Sequence, residues 1–366
     1  MALTDTTNKK SKAYLPSIHF NGDQSLHKKL KKRVDDYFLS VGKPRTATTS
    51  MYVKTAFVLA AFVISYILLV FQADSIWEGG ILSILLGFSA AGIGMNIQHD
   101  ASHGAYSRNP RVNRLFSMTL DLIGGSSYMW QWKHVKFHHS FVNIPDYDTD
   151  IDLGHLAHIT PKQKKHWFHR WQQVYMWPLY SLLAIKWQFY DDFSSLIFGR
   201  LGRHKIPRPR GMELLVFILG KAIFFSIAFV IPLMVRTPLQ VITFYILTAL
   251  TAGIVLSLIF ILPHTVEQSD FPVPSNNTVS FSRDEHQIRV TADFGRGHPM
   301  FTWLVGGLNY HREHHLFPGI CHVHTPHLAG MLDEECDKAG INHVEHASFP
   351  TGMSSHYRFL KRMGRE

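Results

Sequence analysis

The chain has 366 residues, 24 of them histidine, and a formal net charge of +10. Its mean hydropathy is near zero, yet 26 residues are Phe and long uncharged runs recur. That combination excludes an ordinary soluble protein and fits a few membrane helices carrying a large polar part. The two cysteines, Cys321 and Cys336, cannot build a disulfide framework, which fits a reducing compartment. The basic residues flank apolar runs, so the expected partner is an anionic lipid leaflet and not nucleic acid.

In chain order, eleven Lys and Arg precede residue 55, and the first 50 residues hold no apolar core of a secretory signal. Leu26, Leu30, Val34, Phe38 and Val41 recur at helical spacing, with Lys28, Lys29, Lys31, Lys32 and Arg33 between them. This predicts an amphipathic helix on the membrane surface; the alternative is a helix packed on the polar part. Residues 55–73 and 79–98 are uncharged runs of 19 and 20 residues, and residues 237–263 are another of 27. Residues 214–235 form a further run broken by Lys221, which is expected to snorkel toward the cytoplasmic surface. Each run approaches or exceeds the roughly 20 residues that cross a bilayer. Residues 115–130, with Asp121 and Gly124-Gly125, and residues 171–190, with Pro178 and Lys186, read as interfacial or buried segments.

The predicted organisation is therefore all-α and integral to the membrane, with four transmembrane helices and a cytoplasmic helical cap. Residues 1–54 form a basic N-terminal segment, 55–98 the first helix pair, 99–213 a cytoplasmic region, 214–263 the second pair, and 264–366 a second cytoplasmic region. The loop after the first run holds Asp74 and Glu78 and no basic residue, and the loop after the third is little more than Arg236. By the positive-inside rule both termini and the long middle region face the cytoplasm. A helix from residue 79 to 103 would span about 37 Å against a hydrocarbon core of about 30 Å. The second and fourth helices are thus expected to overshoot the membrane, one carrying His99 and His103 and the other His264.

Three histidine clusters stand beside these ends: His99-Asp-Ala-Ser-His103, His134-Val-Lys-Phe-His138-His139 and His311-Arg-Glu-His314-His315. Histidines at i and i+4 share a helix face and can share a metal. Neighbours on a helix point about 100° apart, so each adjacent pair can feed two ions. Imidazole suits zinc, copper, iron and nickel and excludes a magnesium or calcium site. Eight such ligands exceed what one ion accepts, and His264 is a candidate ninth; the spacing alone does not choose iron over zinc. Groups expected to orient the rings are Asp100, Asp121, Glu267, Asp293 and Asn309. Asp146, Asp148, Asp150 and Asp152 after the second cluster, and His322, His324 and His327 after the third, are further candidates. Glu267 is expected on a continuation of the fourth helix, one turn past His264. His155, His158, His166 and His169, in a Lys-rich stretch, read as solvated side chains, and Cys321 as a small buried residue.

The extended clusters HDASHGAYSRNPRVNR (99–114), WQWKHVKFHHSFVN (130–143) and GGLNYHREHHLFPGICHVH (306–324) resemble the membrane fatty-acid desaturases. The likeness is closest to the bacterial acyl-lipid enzymes of the front-end (Δ6-like) group. HKKLKKRVDDYF and SMYVKT near the first helix are similar too, so the likeness covers roughly residues 28–360. It implies two non-haem iron ions that activate O₂ and remove two hydrogens from a lipid-linked or CoA-linked acyl chain, at the bacterial inner membrane. That group usually carries Gln at the first position of the third cluster, where this chain has His311, so the likeness does not fix the double-bond position. The haem-binding HPGG signature of a fused cytochrome b5 domain is missing, and the electrons are expected from a separate ferredoxin or cytochrome b5. A lipid hydroxylase or carotenoid ketolase would use the same site. A metal transporter is disfavoured, because it would hold its ligands near the bilayer midplane.

Overall fold

A computed structural model of the protein describes residues 15–151 and 153–366; the first fourteen residues and Asp152 lie outside it. Helix α1 (Ser25–Val41) precedes two long apolar helices, α2 (Thr49–Gln72) and α3 (Ile76–Ser102). The short π-helical α4 (Gln131–His138) and α5 (Gln172–Ser181) lead to a second long pair, α6 (Met212–Leu233) and α7 (Pro238–His264). The last part holds α8 (Arg283–Arg289), α9 (His311–Leu316), α10 (Thr325–Ala339) and α11 (Phe349–Met363). The β-structure of the described residues is three two-stranded pairs.

The four long helices start where their sequences tell them to. Ser75 and Glu78 form a capping box at α3, and Thr237 and Gln240 do the same at α7, whose first residue is Pro238. α3 buries 67% of its most apolar stretch and α6 only 22%, so α3 is the central helix and α6 a peripheral one facing lipid. Small residues let α3 and α7 approach closely. A Cβ on Gly79 would sit 2.1 Å from the Phe244 ring, and one on Gly87 would sit 2.6 Å from the Thr248 carbonyl oxygen. α3 and α7 each run 27 residues, about 40 Å of helix, and both end in histidine-bearing turns.

Three local expectations are corrected. The apolar stripe of α1 is not laid on a membrane: Leu26, Leu30, Val34 and Phe38 pack against Leu328, Leu332 and Cys336 of α10, and Arg33 pairs with Glu335. Val41 stays exposed. Lys221 does not snorkel. Its Nζ is buried, donating to Asp192 Oδ2 at 2.7 Å and to the Gly124 carbonyl at 2.6 Å, because the segments at 115–130 and 187–198 fold against α6 and the second brings Asp192 with it. His158 and His169 are buried rather than solvated. His158 Nδ1 donates to the Met363 carbonyl and His169 Nε2 to the His155 carbonyl, so the Lys-rich stretch is anchored to α11. Cys321 is buried, as expected.

Candidate metal centre

The C-terminal end of α3 presents His99 and His103 one turn apart, their rings 4.9 Å between centroids. α4 contributes His134 and His138, with His139 immediately after. Its backbone hydrogen bonds reach the fifth residue instead of the fourth, so positions i+4 and i+5 fall on either side of i. All three rings of the second cluster therefore face inward: His134 and His138 stack at 5.1 Å, and His139 stands edge-on to both. α9 supplies His311, His314 and His315. His264 enters from α7, where the last turn tightens to a 3₁₀ turn at Pro263.

The rings sort into two groups. One nitrogen from each of His99, His103, His134 and His314 lies within 4.8 Å of the others, and the same holds for His138, His264, His311 and His315. His139 lies between, grouped with His314 and His315. Close Nε2–Nε2 approaches are 3.2 Å for His99–His134, 3.1 Å for His139–His314 and 2.9 Å for His264–His311. All nine rings are buried except His103, which is partly so. Burial pushes His103, His134, His139, His311, His314 and His315 well below the ordinary histidine range. For His138 desolvation acts the same way, but Asp148 and then Asp150 outweigh it and raise it.

Neutral, buried imidazoles that aim nitrogen at nitrogen make a poor protein interior and a good ligand set. Nε2 of His103 and Nε2 of His315 have no hydrogen-bond partner among the described residues, although buried polar atoms are normally paired. The protons sit on the other side of several rings. Nδ1 of His134 donates to Asp150 at 3.0 Å, and that of His138 to Asp148 at 3.0 Å. Nδ1 of His264 faces the Val290 carbonyl at 3.2 Å, that of His311 the Leu308 carbonyl at 3.0 Å, and that of His315 the Gln287 side chain at 3.0 Å. Each of these bonds leaves the Nε2 lone pair for a cation. A metal fits this donor set.

Of the candidate orienting groups, Asp152 lies outside the described residues; among the others, Asp148 and Asp150 bond rings of the clusters and the rest serve other partners. Asp100 accepts from His322 Nδ1 at 2.8 Å, and Lys54 Nζ lies 2.9 Å from the other nitrogen of that ring. Asp121 takes the Ser127 amide at 3.4 Å beside Gly220. Asp293 accepts from the Arg312 amide at 3.0 Å, and Asn309 bonds Thr302 and the Gly295 carbonyl. Glu267 pairs with Arg358 at 2.6 Å; the chain turns away after His264 instead of continuing as helix, so a one-turn spacing no longer brings Glu267 to the ring. Asp146 pairs with Arg203 at the surface, His324 binds the Thr46 carbonyl, and His327 stacks on Tyr37. The Val290 and Leu308 carbonyls and Gln287 carry no mark in the sequence that would have singled them out.

Beside the histidines an apolar pocket runs between the long helices. Trp187, Ile123 and Leu256 line its near end, and Val70, Val241 and Arg236 its far end. Trp130 stacks on His134 at 4.4 Å and meets Trp187 at 5.7 Å, so two indoles separate cluster from pocket. Phe260 closes the same boundary against His99 and His134.

Four membrane-length helices, a buried imidazole cluster suited to metal and an adjoining apolar pocket define an integral-membrane metalloenzyme. The chain belongs to the fatty acid desaturase family, which it matches over residues 75–347. It is thus an oxidoreductase that desaturates fatty acyl chains. It is 33% identical over 362 residues to the sn-1 linoleoyl-lipid 6-desaturase of Arthrospira platensis, covering 99% of this chain and 96% of that one. The enzyme of the same name from Synechocystis sp. is 33% identical over 353 residues, covering 95% and 98%. An acyl-lipid (8-3)-desaturase of Physcomitrium patens is 33% identical over 342 residues, covering 92% and 71%.

Proposed function

We propose that the protein inserts a cis double bond into an acyl chain of a membrane lipid, using two irons held by His99, His103, His134, His138, His139, His264, His311, His314 and His315. The observation that carries this reading is the convergence of nine imidazoles, four in each of two groups with His139 between, at the ends of α3 and α7, which are among the helices that wall the apolar pocket. Bound there, the two irons would supply the oxidising power that turns a –CH₂–CH₂– pair, O₂, two electrons and two protons into –CH=CH– and two waters. The electrons come from a separate carrier, ferredoxin or cytochrome b5.

The protein's own residues do the rest. Asp148 and Asp150 hold two rings of the second cluster in register, and the backbone carbonyls of Val290 and Leu308 hold two more. Trp130, Trp187 and Phe260 make an apolar boundary that excludes water where chain and cluster meet. Val241 and Leu256 lie fifteen residues apart on α7, about 22 Å along a helix axis, a length suited to an extended acyl chain. The site is proposed to face the cytoplasm from a bacterial inner membrane, a reading that the basic N-terminal segment and the acidic or short opposite loops support for its orientation.

The two cyanobacterial relatives are named for linoleoyl lipid and position 6, and we propose the same regiochemistry for this chain despite its departure at His311. The test is expression in a host with a ferredoxin supply, followed by analysis of fatty-acid methyl esters. A new Δ6 double bond in lipid-derived linoleate is expected; an unchanged profile or an oxygenated chain would overturn the reading.

A further inference from the structure

α8 holds none of the three clusters, yet its Gln287, 2% exposed, touches two of them. Gln287 Nε2 donates to the His139 carbonyl at 3.0 Å, and its Oε1 lies 3.0 Å from His315 Nδ1. A carbonyl oxygen can only accept, so the amide has one orientation that satisfies it: nitrogen toward His139 and oxygen toward His315. An oxygen facing His315 Nδ1 requires that nitrogen to carry the proton. The lone pair is then on Nε2, the atom with no partner among the described residues. The neighbouring His286 donates Nε2–H to the Val142 carbonyl at 3.0 Å, fixing α8 against the chain just after the second cluster.

Gln287 also completes an asymmetry. In the group of His138, His264, His311 and His315, every Nδ1 meets a fixed acceptor: Asp148, the Val290 carbonyl, the Leu308 carbonyl and Gln287. In the group of His99, His103, His134 and His314, His134 alone is held this way among the described residues, by Asp150.

We propose that Gln287 is a positioning residue that clamps the second cluster to the third and fixes the His315 tautomer, making the metal position of His138, His264, His311 and His315 the more firmly held of the two. This rests on the metal-binding reading above. The test is metal content per chain, and the rate of iron loss to a chromogenic chelator, for detergent-purified protein. Gln287→Met keeps the size of the side chain and removes both bonds. Gln287→Glu keeps an acceptor for His315.

The wild-type chain should release its iron in a fast and a slow phase of equal amplitude. Gln287→Met should speed the slow phase about 10–100-fold, the usual cost of losing a group that orients a ligand, with helix content unchanged. Gln287→Glu keeps the acceptor for His315 Nδ1 but loses the donor to the His139 carbonyl, so its slow phase should fall between those of wild type and Gln287→Met. A wild-type slow phase in Gln287→Met overturns the proposal. If Gln287→Met is not recovered, a wild-type slow phase in Gln287→Glu, which has lost the bond to His139, overturns it equally. Wild-type protein that binds no stoichiometric metal would instead refute the metal reading itself.

Discussion

The imidazole cluster and the apolar pocket meet across two indole rings, and they are built by opposite rules. In the cluster, rings from four chain segments converge, and five of them are fixed from behind by a specific acceptor. In the pocket the walls are aliphatic and aromatic, joined by a few isolated polar bonds: Tyr66 to the Ile227 carbonyl, Tyr245 to Gln188, and Arg236 to the Val70 carbonyl. A buried polar assembly is over-determined, and removing one member leaves its partners unsatisfied. An apolar cavity tolerates a change of shape and responds by changing what fits. One region should therefore fail outright when altered, and the other should shift its preference.

The largest effect tests the first half of that contrast. His103→Ala, His138→Ala and His314→Ala should each reduce double-bond formation to background while the protein stays in the membrane fraction, measured by methyl-ester analysis and immunoblot. His264→Ala should be as severe in iron content and activity, since its ring stands in the same group as His138, His311 and His315. Glu267→Gln should stay within about twofold, because this carboxylate serves Arg358 and surface pairs contribute little.

The pocket variants should behave differently. Arg236 is the charged side chain at the far end, and its Nε donates to the Val70 carbonyl at 2.8 Å. Arg236→Ala should lengthen the cavity and raise the ratio of longer to shorter acyl products about tenfold, in line with what one or two methylenes are worth in a fitted apolar site. Total turnover should remain within the same order of magnitude. A collapse of activity instead would mean that this wall is as rigid as the cluster.

The smallest expected change in catalysis comes with a large one in stability. Lys221→Met leaves Asp192 buried without its cation, and breaking such a pair costs about 3–5 kcal/mol. The thermal midpoint in detergent should fall, while activity per folded molecule stays near wild type. Adding Asp192→Asn should restore most of the lost stability.

Much of this contrast was legible in the sequence. The four apolar runs, the 27-residue length of the second and fourth helices and the three cluster spacings all follow from residue periodicity and length. So does the entry of His264, which comes directly after a run longer than a bilayer needs. Other features depend on how the chain turns. The 3₁₀ turn at Pro263 redirects the chain after His264 and takes Glu267 to Arg358. The π-helical winding of residues 131–138 brings three rings inward where an α-helix would splay them. The acceptors from Val290 and Leu308 are backbone atoms, which every residue has, and Gln287 lies 28 positions from the ring it holds. Lys221 and His169 looked exposed because their partners, Asp192 and the His155 carbonyl, are supplied by folding and not by a helical neighbour.

Two metal ions held by nine imidazoles are the central proposal. Iron quantified per chain in active, purified protein tests it most directly. The expected result is two irons per wild-type chain, falling to one or fewer in His264→Ala. An active preparation with a single iron per chain, or a His264→Ala variant that keeps both, would contradict it.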